Sequence, residues 1–180
     1  MSIINVVGAK IWGGGEQYVY DICKQLQQRH RTAYILVDQS NEDMQSRYAQ
    51  VGHVMTANLY TLKGFLSVNA VAKQMKEHRI NTIICHSGKY ILFCIALKQL
   101  TGTKLVFIKH NLVPGKTDMY HRWINAQVDA FVCVSKLVYD DLMTPAIKDT
   151  SKYHVVYNGI DPNRFQSFSD AVPMKYKVRT

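Results

Sequence analysis

The polar residues in this chain that could do chemistry fall just after short apolar runs. Gly13, Gly14, Gly15 and Glu16 follow the run at 3–7. His86 and Ser87 follow 82–85, and His110 and Asn111 follow 104–108. Ser135 follows 130–134, and Asn158 with Gly159 follows 154–157. Glycines let a backbone approach a ligand closely, and a helix starting there presents unpaired N–H groups. Such a helix start favours an anion by about 0.3–1 kcal/mol at an exposed site. On the glycines alone, a turn that caps a helix, with Glu16 complementing the dipole, explains them equally well. A histidine at a strand end can hold a ligand hydroxyl or stay solvated. Ser135 is well placed as a helix N-cap, and Asn158-Gly159 is a turn signal on any reading.

Other chemistries fit less well. Cys85-His86 suggests a thiol–imidazole dyad, but neighbouring strand residues point to opposite faces. Asp38 stands about where a dinucleotide fold keeps its ribose-binding acid. The glycines are consecutive, however, and Tyr18 occupies the place of the third fingerprint glycine, so Asp38 reads as an ordinary loop acid. No HExxH or paired His/Cys spacing is present, so no metal is expected.

These residues need a frame that brings them together. Strands are expected at 3–7, 33–37, 53–57, 82–85, 104–108, 130–134 and 154–157. Helical spacing marks 15–29, 65–78, 90–100, 119–127 and 136–143. Residues 38–50 read as a loop or an irregular helix. Strands alternating with helices predict an α/β fold, a Rossmann-like three-layer domain with a mostly parallel sheet and helices on both faces. Open parallel sheets bind ligands at the carboxyl ends of their strands. All the candidate residues should therefore converge on one rim. Residues 1–165 form one domain on this reading. Residues 166–180, with Pro173, Lys175, Lys177 and Arg179, read as a linker or the start of a missing C-terminal domain.

With 180 residues, the chain can bury roughly 70% of its unfolded surface. Its net charge of +9 fits an anionic partner, although the basic residues are scattered and no nucleic-acid-binding signature stands out. Cys23, Cys85, Cys94 and Cys133 lie in apolar, periodic segments and read as reduced core thiols. The N-terminus lacks a basic leader, and the longest apolar run, 90–97, is too short to span a bilayer. A cytoplasmic protein is expected. Two basic–aromatic clusters could rest on an anionic membrane surface: Tyr60, Lys63, Phe65 and Leu66, and Lys116, Tyr120, Arg122 and Trp123. A helix with an apolar inner face and a solvated outer one is the simpler explanation of each cluster.

Two motifs carry a family resemblance. Gly13, Gly14 and Glu16 match a Gly-Gly-x-Glu pattern, and Asn158, Gly159, Asp161 and Phe165 match an Asn-Gly-x-Asp segment. Together the chain resembles the N-terminal half of a GT-B glycosyltransferase, closest to the retaining group called family four. The resemblance implies transfer of a sugar from a nucleotide-sugar donor to a glycan or lipid-linked acceptor, without a metal or other cofactor. It sets Gly13–Glu16 against the donor diphosphate and the acceptor. It gives His110 a hydroxyl of the transferred sugar or acceptor, and places His86 and Ser87 on the acceptor side. Ser135 falls near the interdomain cleft, and Asn158 marks the crossing to a second domain. Asn111 departs from the pattern, which more often has an acid there. The 180 residues alone are expected to lack transferase activity. The alternative is a stand-alone acceptor-binding subunit that docks to a separate donor-binding chain.

Overall fold

Seven short runs rich in Ile and Val pair side by side, all parallel, in the order β3-β2-β1-β4-β5-β6-β7. The computed structural model describes residues 2–59, 64–116, 118–143 and 150–159. The strands are β1 (Ile3–Val6), β2 (Tyr34–Asp38), β3 (His53–Ala57), β4 (Thr82–Cys85), β5 (Lys104–Lys109), β6 (Ala130–Cys133) and β7 (Tyr153–Val155). The helices are α1 (Gly14–Gln28), α2 (Glu42–Tyr48), α3 (Gly64–Glu77), α4 (Ile91–Thr101), α5 (Met119–Gln127) and α6 (Lys136–Leu142). The expected Rossmann-like α/β fold is therefore the observed one.

Side-chain alternation along the strands builds two cores. Ile4, Val6, Leu36, Ile83, Leu105 and Phe131 face a large core that also takes in residues of α3, α4, α5 and α6. Val7, Ile35 and Val37 face a smaller one with Val19 and Cys23 of α1 and Met44 and Tyr48 of α2. All four cysteines are buried free thiols.

Side chains set several helix starts. Asn41, Asp118 and Ser135 accept the N–H groups of Met44, His121 and Val138, which satisfies donors that a helix start leaves unpaired. α4 stops at Gly102, whose φ of 71° favours glycine.

Three local expectations change. The segment 38–50 holds a regular helix, α2, fixed by its Asn41 cap and its buried Met44 and Tyr48. The last strand spans Tyr153–Val155 and not 154–157; Tyr153 pairs with Phe131 and stacks on its ring at 4.7 Å. Asp38 is not a loop acid. It ends β2, is 2% exposed, and accepts from Ser40 N, Ser40 Oγ and Leu59 N. Its carboxylate ties the exit of β2 to the exit of β3. Asp161, Phe165, Tyr60, Lys63 and the 166–180 segment, with the boundary at 165, lie outside the described residues.

Candidate active site

Because every pair is parallel, all seven carboxyl ends lie on one edge of the sheet. The strand order reverses between β1 and β4, which opens a crevice at that edge. Residues from the β1 and β4 exits meet there, together with the neighbouring exit of β5.

The loop after β1 is held by contacts along its length. Tyr90 donates its hydroxyl to the Gly8 carbonyl, and its ring leaves no room for a side chain at position 8: a Cβ there would lie 2.5 Å from Cζ. Asn41 Nδ2 donates to the Ala9 carbonyl at 3.0 Å. Trp12 packs against Tyr48 and Tyr20, with Arg47 over its ring at 5.0 Å. Its indole N–H donates to Gln17 Oε1 at 3.2 Å. The glycine run is thereby delivered to the crevice. Gly13 N–H donates to Glu16 Oε2 at 3.1 Å, so Glu16 caps its own helix and carries negative charge at the positive end of the dipole. A Cβ on Gly14 would meet nothing within 4 Å, and one on Gly15 would only touch His110 Cδ2 at 4.0 Å. Internal packing therefore does not require glycine at either position.

His110, just past β5, stacks on His86, just past β4, with ring centroids 5.4 Å apart. His86 Nδ1 lies 3.1 Å from His110 Nε2, and His86 Nε2 lies 3.1 Å from Oδ1 of Asn5 in β1. Tyr18 of α1 sets its ring edge-on against both imidazoles, at 5.1 Å from His110 and 6.1 Å from His86. Burial pushes the His86 pKa down to about 3, with His110 adding to the effect. Burial also lowers that of His110. Both rings are neutral near pH 7. The pair can accept and donate hydrogen bonds, but it cannot supply a fixed positive charge.

The remaining candidates separate from this cluster. Asn111 is exposed beside His110. Ser87 turns toward the other face of the sheet. Its hydroxyl accepts Lys89 N–H at 3.4 Å, and its carbonyl accepts from Cys85 Sγ at 3.1 Å. Cys85 is thus a core thiol, and no dyad with His86 forms. Ser87 also lines a cavity of about 340 Å³ with Lys89, Phe107, Lys109, Lys116 and Tyr120. Burial, and then Lys116, lower the Lys109 pKa against Cys133 and Asp141, which raise it. Ser135 serves as the α6 cap. Asn158 is exposed beyond β7, two strands from β5, or roughly 10 Å at ordinary strand spacing. Gly13–Glu16, His86 and His110 therefore share one crevice, while Ser87, Ser135 and Asn158 reach the same rim elsewhere.

Sequence reading missed Asn5, Trp12 and Tyr90 as parts of this site. Asn5 carried a signal, since it is the one polar residue inside the Ile-Ile-Asn-Val-Val run. Among the described residues, no three His, Cys, Asp or Glu side chains are grouped as a metal ion would need. No helix among them is long and apolar enough to cross a membrane.

Solved structures share this architecture. A glycosyltransferase from Rickettsia africae superimposes with a TM-score of 0.77 at 18% identity, over 92% of this chain and 45% of its own. Anabaena HepE in complex with UDP gives 0.71 at 18% identity, over 92% and 46%. Acinetobacter baumannii MurG gives 0.63 at 12%, over 97% and 51%. The chain spans about half the length of these proteins, and the fold is that of a GT-B glycosyltransferase domain. No curated protein matches it in sequence. Residues 12–164, which take in Gly13–Glu16, His86 and His110 and run past Asn158, match Glycosyltransferase Family 4, and the chain belongs to that family.

Proposed function

We propose that this chain is the acceptor-side, N-terminal domain of a retaining glycosyltransferase that moves a sugar from a nucleotide-sugar donor to a hydroxyl of a glycan or lipid-linked acceptor. The observation that carries this reading is the meeting of an unfilled glycine helix start with the His86–His110 pair at the switch point of the sheet. Anabaena HepE has been crystallised with UDP and with UDP-glucose, which supports a nucleotide sugar as the donor class.

On this reading, Gly14 and Gly15 let the donor diphosphate approach the backbone, and His110 holds a sugar hydroxyl. A second domain grips the nucleotide and stabilises the leaving diphosphate by positioned charge and hydrogen bonds. That domain belongs either to a longer protein or to a separate chain, and the 180 residues alone do not turn over. Exposed Val156 and Tyr157, beyond β7, suit docking of either kind. Leu112, Val113, Met119, Tyr120 and Trp123 are exposed beside Lys116 and Arg122, which supports contact with an anionic membrane surface where a lipid-linked acceptor would arrive.

Saturation-transfer NMR tests the assignment. UDP-glucose and a panel of acceptor glycans should transfer to the protein, and the sugar signals should weaken in His110→Ala. Equal transfer to the variant refutes the role given to His110.

A further inference from the structure

The two 3.1 Å contacts at His86 fix more than the position of His110. Asn5 presents its amide oxygen to His86 Nε2, and an amide oxygen only accepts. His86 Nε2 must therefore carry the proton. A neutral imidazole has one N–H, so His86 Nδ1 is bare and accepts from His110 Nε2–H. His110 is left with a bare Nδ1. At the other end of the Asn5 amide, Nδ2 faces Cys23 Sγ at 3.9 Å. Burial keeps His86 neutral, so the chain of contacts holds a single proton per ring. His110 Nδ1 has no hydrogen-bond partner among the described residues.

We infer that Asn5 and His86 are positioning residues that set the proton on His110, so that His110 offers the crevice a hydrogen-bond acceptor and takes a sugar hydroxyl rather than a phosphate oxygen. The choice of ligand group rests on the reading of His110 given above; the proton assignment does not. A hydroxyl can donate to Nδ1. The terminal oxygens of a nucleoside diphosphate carry no proton at pH 8, so they would meet a lone pair and be repelled. The crevice then divides its labour: backbone N–H groups at Gly14 and Gly15 suit the anion, and His110 suits the neutral ring.

Long-range proton–nitrogen NMR on the histidine-labelled protein at pH 8 reads each tautomer directly. The expected spectrum has both rings protonated on Nε2. Protonation of His110 on Nδ1 overturns the inference and leaves the proposed function standing. Asn5→Leu removes the acceptor, so His86 should move its proton to Nδ1 and His110 should follow. A variant spectrum with wild-type tautomers also overturns it. If Asn5→Leu does not fold, the wild-type spectrum still decides. Titration with methyl α-glucoside should then shift His110 Nδ1, while UDP should leave it in place. A shift with UDP and none with the glucoside overturns the ligand choice alone.

Discussion

His86 and His110, 24 residues apart in sequence, stack with their ring nitrogens 3.1 Å apart across two adjacent parallel strands. With Cys85 opposite Phe107, β5 runs two residues further than β4, so His86 leaves the shorter strand and His110 the longer one. Asn5 anchors the pair from a third strand, and Tyr18 covers it from a helix. The site therefore depends on the sheet and not on any one loop.

This arrangement makes the fold acid-sensitive. The unfolded chain protonates a histidine near 6.5, whereas His86 in the fold stays neutral down to about 3. Between those values the unfolded state binds more protons. The stabilisation is complete above pH 6.5 and is lost as pH falls, by about 1.4 kcal/mol per pH unit at most. The lowered His110 pKa acts in the same direction. Urea midpoints between pH 7 and 4 should fall steadily in the wild type and less steeply in His86→Gln. Parallel pH profiles would rule this out.

The glycines of the first loop separate into two kinds. At Gly8, a methyl group would collide with the Tyr90 ring. Gly8→Ala should cost about 1–3 kcal/mol in chemical denaturation, the usual range for overpacking. At Gly14 the space is open. Gly14→Ala should leave stability within about 1 kcal/mol of wild type, or raise it, because alanine is the better helix former. It should nonetheless weaken UDP-glucose binding by NMR titration. Unchanged binding would mean that no ligand approaches this backbone.

Much of this architecture is legible in the sequence because the relevant forces are local. β-branched runs alternate with helically spaced apolar residues, so all seven strands and the main helices follow from period alone. The carboxyl-end rule then places Gly13–Glu16, His86 and His110 on one rim. It cannot resolve which face of the sheet each side chain takes. Ser87 was expected beside His86, yet one residue's difference sends it to the opposite face, into the cavity with Lys109. Asp38 was misread because burial of an acid depends on donors distant in sequence: Leu59 N–H lies 21 residues away. Trp12 and Tyr90 were missed for the same reason, since their partners Tyr48 and Gly8 belong to other elements.

The buried Asp38 carboxylate should be sensitive to substitution. It receives three donors in a buried setting, Ser40 N, Ser40 Oγ and Leu59 N. Asn keeps the shape but turns one acceptor oxygen into a donor, leaving a buried N–H without its partner. Asp38→Asn should cost about 1–3 kcal/mol, with Asp38→Ala at least as damaging. A surface loop acid would tolerate both within about 0.5 kcal/mol. NAD(P) should bind neither protein, since the residue's acceptors are already engaged within the fold.

The surface around α5 yields the last prediction. Met119 is 86% exposed, and Leu112, Val113, Tyr120 and Trp123 are exposed close to it in sequence, as are Lys116 and Arg122. Apolar and aromatic side chains that insert at a headgroup boundary gain little alone, and each nearby basic residue adds about 1 kcal/mol on an anionic leaflet. Binding should therefore appear on anionic vesicles at low salt, fade as salt rises, and be absent on neutral ones. Trp123→Ala and Lys116→Glu should each reduce sedimentation with vesicles, the second by the larger factor because it reverses a charge. His110→Ala should not change it, since that ring lies in the crevice. Equal sedimentation with neutral and anionic vesicles would assign the surface to apolar contact alone, and no sedimentation at low salt would end the membrane reading.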